Sequence, residues 1–304
     1  MLLTLTAYAL KPMTMTHALK TIPVFYMDAM LAAPDSYSPS AQKPRHVLAA
    51  WQEAGLPVTV EPFKPVDEAD LSLAHDPTYV RDILDGKTEN GFFNKAQDVA
   101  DSLPYTTGAM LAAARAALES GCACAPVSGF HHAGYDYSGG FCTFNGLVVA
   151  ARRLLEENAV RRVMILDCDM HYGDGTEAIL QHFHLKESIR HTTFGRWFHE
   201  PRQARSYLKL LRKTVSDFPS CDLILYQAGA DVHINDPLGG VLTSDEMIER
   251  DRIVFEAARA AGTPIAWNLA GGYQVPLTKV IELHVNTMRE CVRIFAPPAS
   301  ARSL

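Results

Sequence analysis

The sequence lacks any apolar run approaching the ~18 residues of a membrane-spanning helix, so nothing in it reads as a membrane span. It has no surplus of basic charge. Lys and Arg number 28 against 34 Asp and Glu, a formal net charge of −6, which argues against a nucleic-acid surface because such surfaces need a basic face. None of the six cysteines forms a Cys-x-x-Cys pair. Most lie inside apolar runs, so reduced, buried thiols in a cytoplasmic protein are expected rather than a disulfide framework. Cys122 and Cys124 could make a redox pair, but the run around them favours a plain strand. Internal repeats and low-complexity linkers are also absent. The opening "MLLTLTAYALKPMTMTHALK" carries neither a basic n-region nor a small-residue cleavage site. The expected organisation is an N-terminal leader over residues 1–20 and one catalytic domain over 21–304.

What is present is the composition of a globular protein: 304 residues, 48% hydrophobic and 20% charged. From residue 120 onward, short continuous apolar runs alternate with longer stretches of helical period. "CACAPVSGF", "RRVMILDCD", "SIRHTTF", "CDLILYQAGAD" and "TPIAWNLAGG" read as strands. "NGLVVAARRLLEENA", "GTEAILQHF", "ARSYLKLLRKTVSDF", "TSDEMIERDRIVFEAARAAG" and "LTKVIELHVNTMRECVRIF" read as helices. The N-terminal part adds the strands "TIPVFYM" and "PVTVEPF" and the helices "KPRHVLAAWQEAG", "DPTYVRDILDG" and "TTGAMLAAARAALESG", with "TENGFFNKAQD" as a loop. This alternation predicts an α/β fold with an open, mostly parallel β-sheet flanked by helices. Ligands of such sheets bind beyond the carboxyl ends of the strands.

The chemically loaded residues fall at those ends. "LDCDMHYGDG" places Asp167, Asp169, His171 and Asp174 after one strand. Asp231 follows "LILYQAGA", Tyr273 follows "IAWNLAGG", and His131 and His132 follow "PVSGF". So many buried carboxylates need a compensating partner. Residues i and i+2 of an extended chain point the same way, so Asp169 and His171 can face one point. Asp231 from another strand end would complete three ligands with a vacant position, the pattern of a catalytic metal site. Such a set suits zinc, and also iron(II), manganese or cobalt. Helix capping is the plainer reading for Asp174 or Thr176. A histidine doing acid–base work is usually oriented by a carboxylate on its other nitrogen, and Asp167 and Asp174 remain available for that.

The segments "GFHHAGYDYSGGFCTFNGLVVAAR", "RVMILDCDMHYGDGTEAIL", "LYQAGADVHINDPLGG" and "LAGGYQ", spanning about residues 128 to 274, resemble the signature segments of the zinc-dependent histone deacetylase family in order and approximate spacing. Weaker similarity runs through "YSPSAQKPRHV", "HDPTYVRDIL" and "SLPYTTGAML". The arginase/deacetylase fold and roles for single residues are what this resemblance implies. Asp169, His171 and Asp231 match the zinc ligands. His131 and His132 match the tandem active-site histidines, with Asp167 and Asp174 as their carboxylate partners. Tyr273 matches the tyrosine that polarises the substrate carbonyl, and Gly140 and Phe141 match one wall of the acyl-lysine tunnel. A structural potassium ion is implied around Asp167, Asp169 and His171, with Thr193 as the candidate hydroxyl. The implied activity is hydrolysis of acetyl-lysine in proteins or peptides, or of small acetylated amines such as polyamines.

The chain also departs from that pattern. Tyr172 stands where many members carry a histidine, and Ala270 where a glycine is common. "GRWFHEPRQARS" replaces the loop that builds the second tunnel wall, leaving Phe198 or Trp197 as candidates for it. A binuclear manganese ureohydrolase of the arginase type is faintly suggested by "DVHINDP" at 231–237, yet it has no place for the tandem histidines. A catalytically silent binding protein is the third reading, and the intact chemical positions count against it. Oligomeric state is left open, a homo-oligomer included.

Overall fold

A computed structural model of the chain describes residues 19–297. Apart from Leu19 and Lys20, the expected leader lies outside the described residues. Seven strands form a single sheet: β1 (Ile22–Phe25), β2 (Val58–Glu61), β3 (Cys122–Ala125), β4 (Val163–Asp167), β5 (Ile189–Thr193), β6 (Leu223–Gln227) and β7 (Ile265–Asn268). Their order is β2-β1-β3-β7-β6-β4-β5, and every pairing is parallel. The four strands β3, β7, β6 and β4, which end in the suspect residues, are therefore consecutive neighbours.

The continuous apolar runs are explained by burial on both faces. Every residue of β3, β4, β6 and β7 is buried. Alternate residues feed two separate cores. Met164, Leu166, Ile224, Tyr226 and Trp267 pack on one face, against α1 (Lys43–Glu53), α7 (Ala204–Thr214), α8 (Ser244–Ala261) and α9 (Thr278–Phe295). Val163, Ile165, Leu223, Leu225 and Ala266 pack on the other, against α3 (Pro77–Leu84), α4 (Gln97–Ser120), α5 (Gly146–Glu156) and α6 (Asp174–His182). Each fully buried large apolar side chain contributes about 1.5–3 kcal/mol. Local signals set the helix ends. Asn145 caps α5 by accepting from the Val148 N–H at 3.2 Å, and a Thr243–Glu246 capping box starts α8, which Gly262 ends in the left-handed region.

One boundary differs from expectation. Helix α4 begins at Gln97, about two and a half turns before the "TTGAML" segment, and carries Pro104 inside it. Proline there removes one intrahelical hydrogen bond. The buried face of Val99, Ala100 and Leu103 keeps the turn in place. A four-residue helix, α2 (Glu68–Leu71), was not expected; Asp67 caps it by accepting from the Asp70 N–H at 2.8 Å. No described helix is long and apolar enough to cross a membrane.

Candidate active site

The site is assembled beyond the carboxyl ends of β3, β7, β6 and β4. One pocket is lined by His131, His132, Gly140, Phe141, Asp169, His171 and Tyr273, together with Ser40, Gly129, Cys142 and Gly271. At its floor one donor atom each from Asp169, His171 and Asp231 lies within 4.8 Å of the others. His171 Nδ1 is 3.2 Å from Asp169 Oδ1 and 3.0 Å from Asp231 Oδ2. The outer carboxylate oxygens are held by backbone donors. Met170 N–H donates to Asp231 Oδ1 at 3.1 Å, and Gly271 N–H donates to Asp169 Oδ2 at 3.0 Å. Glycine is required at 271, because a Cβ there would stand 2.3 Å from Asp231 Oδ2 and 2.9 Å from Asp169 Oδ2.

The tandem histidines each find a carboxylate. His131 Nδ1 lies 2.8 Å from Asp167 Oδ2, with both side chains buried. His132 Nδ1 lies 2.7 Å from Asp174 Oδ1, in a half-exposed pair. Asp174 makes no side-chain cap on α6, whose N-cap is Gly173; its carboxylate is turned to His132 instead. The two rings are 4.2 Å apart. Asp167 Oδ1 accepts from Gln227 Nε2 at 3.0 Å and from the Asp169 N–H at 3.2 Å. Thr193 is paired with Asp167 across β4 and β5, and its hydroxyl accepts from the Gly173 N–H at 3.1 Å.

The electrostatics follow from crowding of like charge in a dry place. Burial, then the charge of Asp169, raises Asp231 to about 7. Burial works the same way on Asp169, but His131 and His171 outweigh it and hold that carboxyl well below its ordinary range. Hydrogen bonding to Asp169 and Asp231 pushes His171 up to about 11. Burial opposes a charge on His131, yet Asp167 and then Asp169 raise it to about 9. Burial lifts the Tyr273 hydroxyl well above the ordinary phenol, so it stays a donor. Two buried carboxylates meeting one imidazole make a donor set of oxygen and nitrogen with surplus negative charge. That chemistry fits a divalent transition-metal ion.

Other residues around the site were not singled out by the sequence. Asp236 Oδ2 accepts from the Tyr273 N–H at 2.7 Å and fixes the backbone of the tyrosine. Lys43 is fully buried and donates to the carbonyls of Ala270 and Gly271, the latter at 3.0 Å. Burial lowers it to about 8. A lysine in the first turn of a helix runs against the helix dipole, and that mismatch was the available signal. His75 braces the histidine loop, with Nδ1 2.7 Å from the Gly134 carbonyl and Nε2 accepting from the Asn145 N–H at 2.8 Å.

The wall residues divide. Gly140 and Phe141 line the pocket, and Phe141 touches Tyr37, Phe92, Phe93 and Tyr273 in an aromatic cluster. Gly140 has φ +50, and a Cβ on it would stand 2.4 Å from the His132 ring. The Phe198 expectation is corrected. Its ring is buried between Phe194 and Tyr207 in the core, not in the pocket, because this apolar contact outcompetes exposure at the rim. Trp197 is 46% exposed and lines a separate depression with His191 and Arg196. None of the pocket-lining residues comes from 194–203. Tyr172 lies under the Arg196 guanidinium at 5.5 Å, and Ala270 adopts φ +57, the region where glycine is favoured.

The family model for the histone deacetylase domain matches residues 38–189 and 185–288. The chain belongs to this family. An uncharacterized protein of Picosynechococcus sp. is 29% identical over 285 residues, 86% of this chain and 95% of that one. Histone deacetylase 2 of Arabidopsis thaliana is 25% identical, covering 73% of this chain and 65% of its own length. The acetylpolyamine amidohydrolase of Mycoplana ramosa is 28% identical over 48% of this chain, which spans half that protein. Among solved structures, the HDA15 HD domain superposes with a TM-score of 0.72 at 16% identity, covering 92% of this chain and 91% of that one. An acetylpolyamine aminohydrolase from Burkholderia pseudomallei gives 0.68 at 17% identity, covering 90% and 98%. Membership in the histone deacetylase family places the chain among hydrolases of the deacetylase and amidohydrolase type. It also brings the expectation of a metal, commonly zinc, for which Asp169, His171 and Asp231 are the candidate site.

Proposed function

We propose that the chain is a zinc-dependent amidohydrolase that cleaves acyl-lysine in proteins or peptides, or a related acylated amine. The observation that carries this reading is the meeting of the Asp169–His171–Asp231 set, two histidine–carboxylate pairs and Tyr273 around one pocket. Asp169, His171 and Asp231 would hold the zinc ion. When bound, such an ion polarises a carbonyl and can lower the pKa of a water to ~7.

The chain's own residues supply the rest. Asp174 accepts the Nδ1 proton of His132, which leaves the Nε2 lone pair facing the pocket. Nε2 takes a proton from the attacking water and returns it to the leaving nitrogen. The Tyr273 hydroxyl donates to the carbonyl oxygen as negative charge develops there, and Asp236 holds its backbone in place. His131 is buried against Asp167, whose carboxylate orients its ring beside the reacting group. A potassium ion would draw on main-chain carbonyls of Asp167, Asp169 and His171 and on the Thr193 hydroxyl, which strand register sets beside Asp167. Six free thiols fit a reducing, cytoplasmic setting.

Small acetylated polyamines are the second substrate reading, favoured by the relatives that carry that name. A binuclear centre is less well supported, since one three-residue group capable of holding a metal occurs among the described residues. The test pairs metal content of the purified protein with amine release from acyl-lysine peptides and acetylated polyamines. One zinc per chain with hydroxamate-sensitive turnover is expected. Two manganese ions, or one zinc and no turnover on any substrate, would reject the reading.

A further inference from the structure

Arg250 lies beneath the floor of the site and has no role in the reaction as described. It stands on α8, is fully buried, and does not line the pocket. Its Nη1 donates to the Gly229 carbonyl at 2.6 Å and, at the longer distance of 3.5 Å, to the Cys168 carbonyl. Cys168 stands between Asp167 and Asp169, and Gly229 stands two residues before Asp231. One nitrogen therefore ties together the two segments that carry the candidate aspartate ligands, from outside the pocket. Tyr207 adds a second donor to the Cys168 carbonyl at 3.4 Å. Gly229 is packed directly on the ligands. A Cβ there would stand 2.6 Å from Asp169 Cα and 2.8 Å from Asp231 Oδ1, so a tilt of this peptide presses on both residues.

The guanidinium is itself held. Its Nε donates to Asp251 Oδ1 at 2.8 Å. Tyr226 donates to the same oxygen, and Thr287 Oγ1 donates to Asp251 Oδ2 at 2.7 Å. Asp251 matches the charge of the arginine, so the pair brings hydrogen bonds to the floor and no net charge. A buried ion pair is a weak source of stability, because desolvating both charges offsets their attraction, and apolar residues of similar volume often serve folding as well. Arg250 Nη2 even lacks a partner. What the arginine offers, and an apolar side chain does not, is a rigid donor set between two carbonyls.

Resting on the reading of Asp169, His171 and Asp231 as a metal set, and not on turnover, we propose that Arg250 is a positioning residue for that set. Its tie between the Cys168 and Gly229 carbonyls fixes the separation of the Asp169 and Asp231 carboxylates before an ion arrives. Two like charges in a buried place repel, and an untied floor would let them part. Metal sites tolerate ligand displacements of only about 0.2 Å. Loss of a group that orients a ligand typically costs about 10–100-fold in metal affinity.

The test measures the zinc affinity of the metal-free protein by competition with a chromophoric chelator, so it needs no substrate. Arg250→Met should weaken zinc binding by about 10–100-fold. That variant strands the Asp251 charge in the core, so it is also combined with Asp251→Asn, which removes the charge and keeps an acceptor. The double variant should show the same loss of affinity with a higher unfolding midpoint than Arg250→Met alone. Val254→Ala serves as the control, because it empties space on the same buried helix one turn further on. It should lower the unfolding midpoint and leave zinc affinity within about twofold. Zinc bound by the double variant as tightly as by the parent would overturn the proposal. An equal loss of affinity in Val254→Ala would also overturn it, since the effect would then be general loosening. A parent protein that binds no zinc would reject the metal reading and the proposal with it. A parent that binds zinc but cleaves no substrate would reject the amidohydrolase reading alone, and the affinities of the variants would still decide the role of Arg250.

Discussion

The floor of the site and its mouth are built on different principles. At the floor, Asp167, Asp169 and Asp231 are buried, and backbone or side-chain donors at 3.0 to 3.2 Å hold their oxygens. Asp167 ends β4 in register with Gln227 of β6, and Asp169 and Asp231 follow two and four residues beyond those strand ends. The mouth is made of loops. Phe93 and Phe141 both adopt positive φ, an uncommon conformation for a bulky residue, and Tyr37 and Phe93 are 77% and 66% exposed. The opposite side receives nothing from residues 194–203. Short segments leaving the buried strand ends thus carry the chemistry, while loops at the mouth set what reaches it. A family can keep one reaction and change substrates by that division.

The sharpest way to break the comparison is at the floor. Asp231→Ala should lose the metal and reduce turnover to background; full zinc occupancy in that variant, read by elemental analysis, would reject the ligand assignment. Tyr273→Phe comes next. It removes only a donor to the developing oxyanion, so turnover should fall by about 10²–10³ with zinc retained. Unchanged turnover would leave the tyrosine without its role.

Between floor and mouth, His75 offers a measure of stability. Burial lowers it to about 4, so the unfolded chain takes up this proton first as pH falls below about 6.5. The contribution is complete above that value and is lost on descending to about 4, amounting to ~3 kcal/mol. Denaturant unfolding of the parent and of His75→Gln across this window checks it. Equal pH slopes in the two proteins would sink the idea. The smallest effect is expected at the mouth: Trp197→Ala should leave acetyl-lysine turnover within about threefold. A larger drop would mean that the 194–203 segment closes over substrate after all.

Much of this was legible in the sequence because the controlling interactions are local or periodic. Buried parallel strands write themselves as continuous apolar runs, and the clustering of Asp, His and Tyr after such runs marked the site. The i and i+2 relation brought Asp169 and His171 together without knowledge of the fold. Phe198 was misplaced for the opposite reason. Whether an aromatic faces a pocket or the core depends on how its segment turns, and here a turn after β5 and the start of α7 bring Phe194 and Tyr207 onto Phe198. Asp236 and Lys43 were silent because their hydrogen bonds reach 37 and 228 residues across the chain.

The sequence by itself determined the alternation of strands and helices, the family, and the residue types gathered at four strand ends. These follow from periodicity and from chemistry that tolerates few substitutes. Only the tertiary structure decided that β3, β7, β6 and β4 are neighbours, that each histidine has its own carboxylate, and that residues 194–203 stand apart from the pocket. These depend on side chains that meet through folding across long stretches of sequence, and no local pattern encodes such meetings.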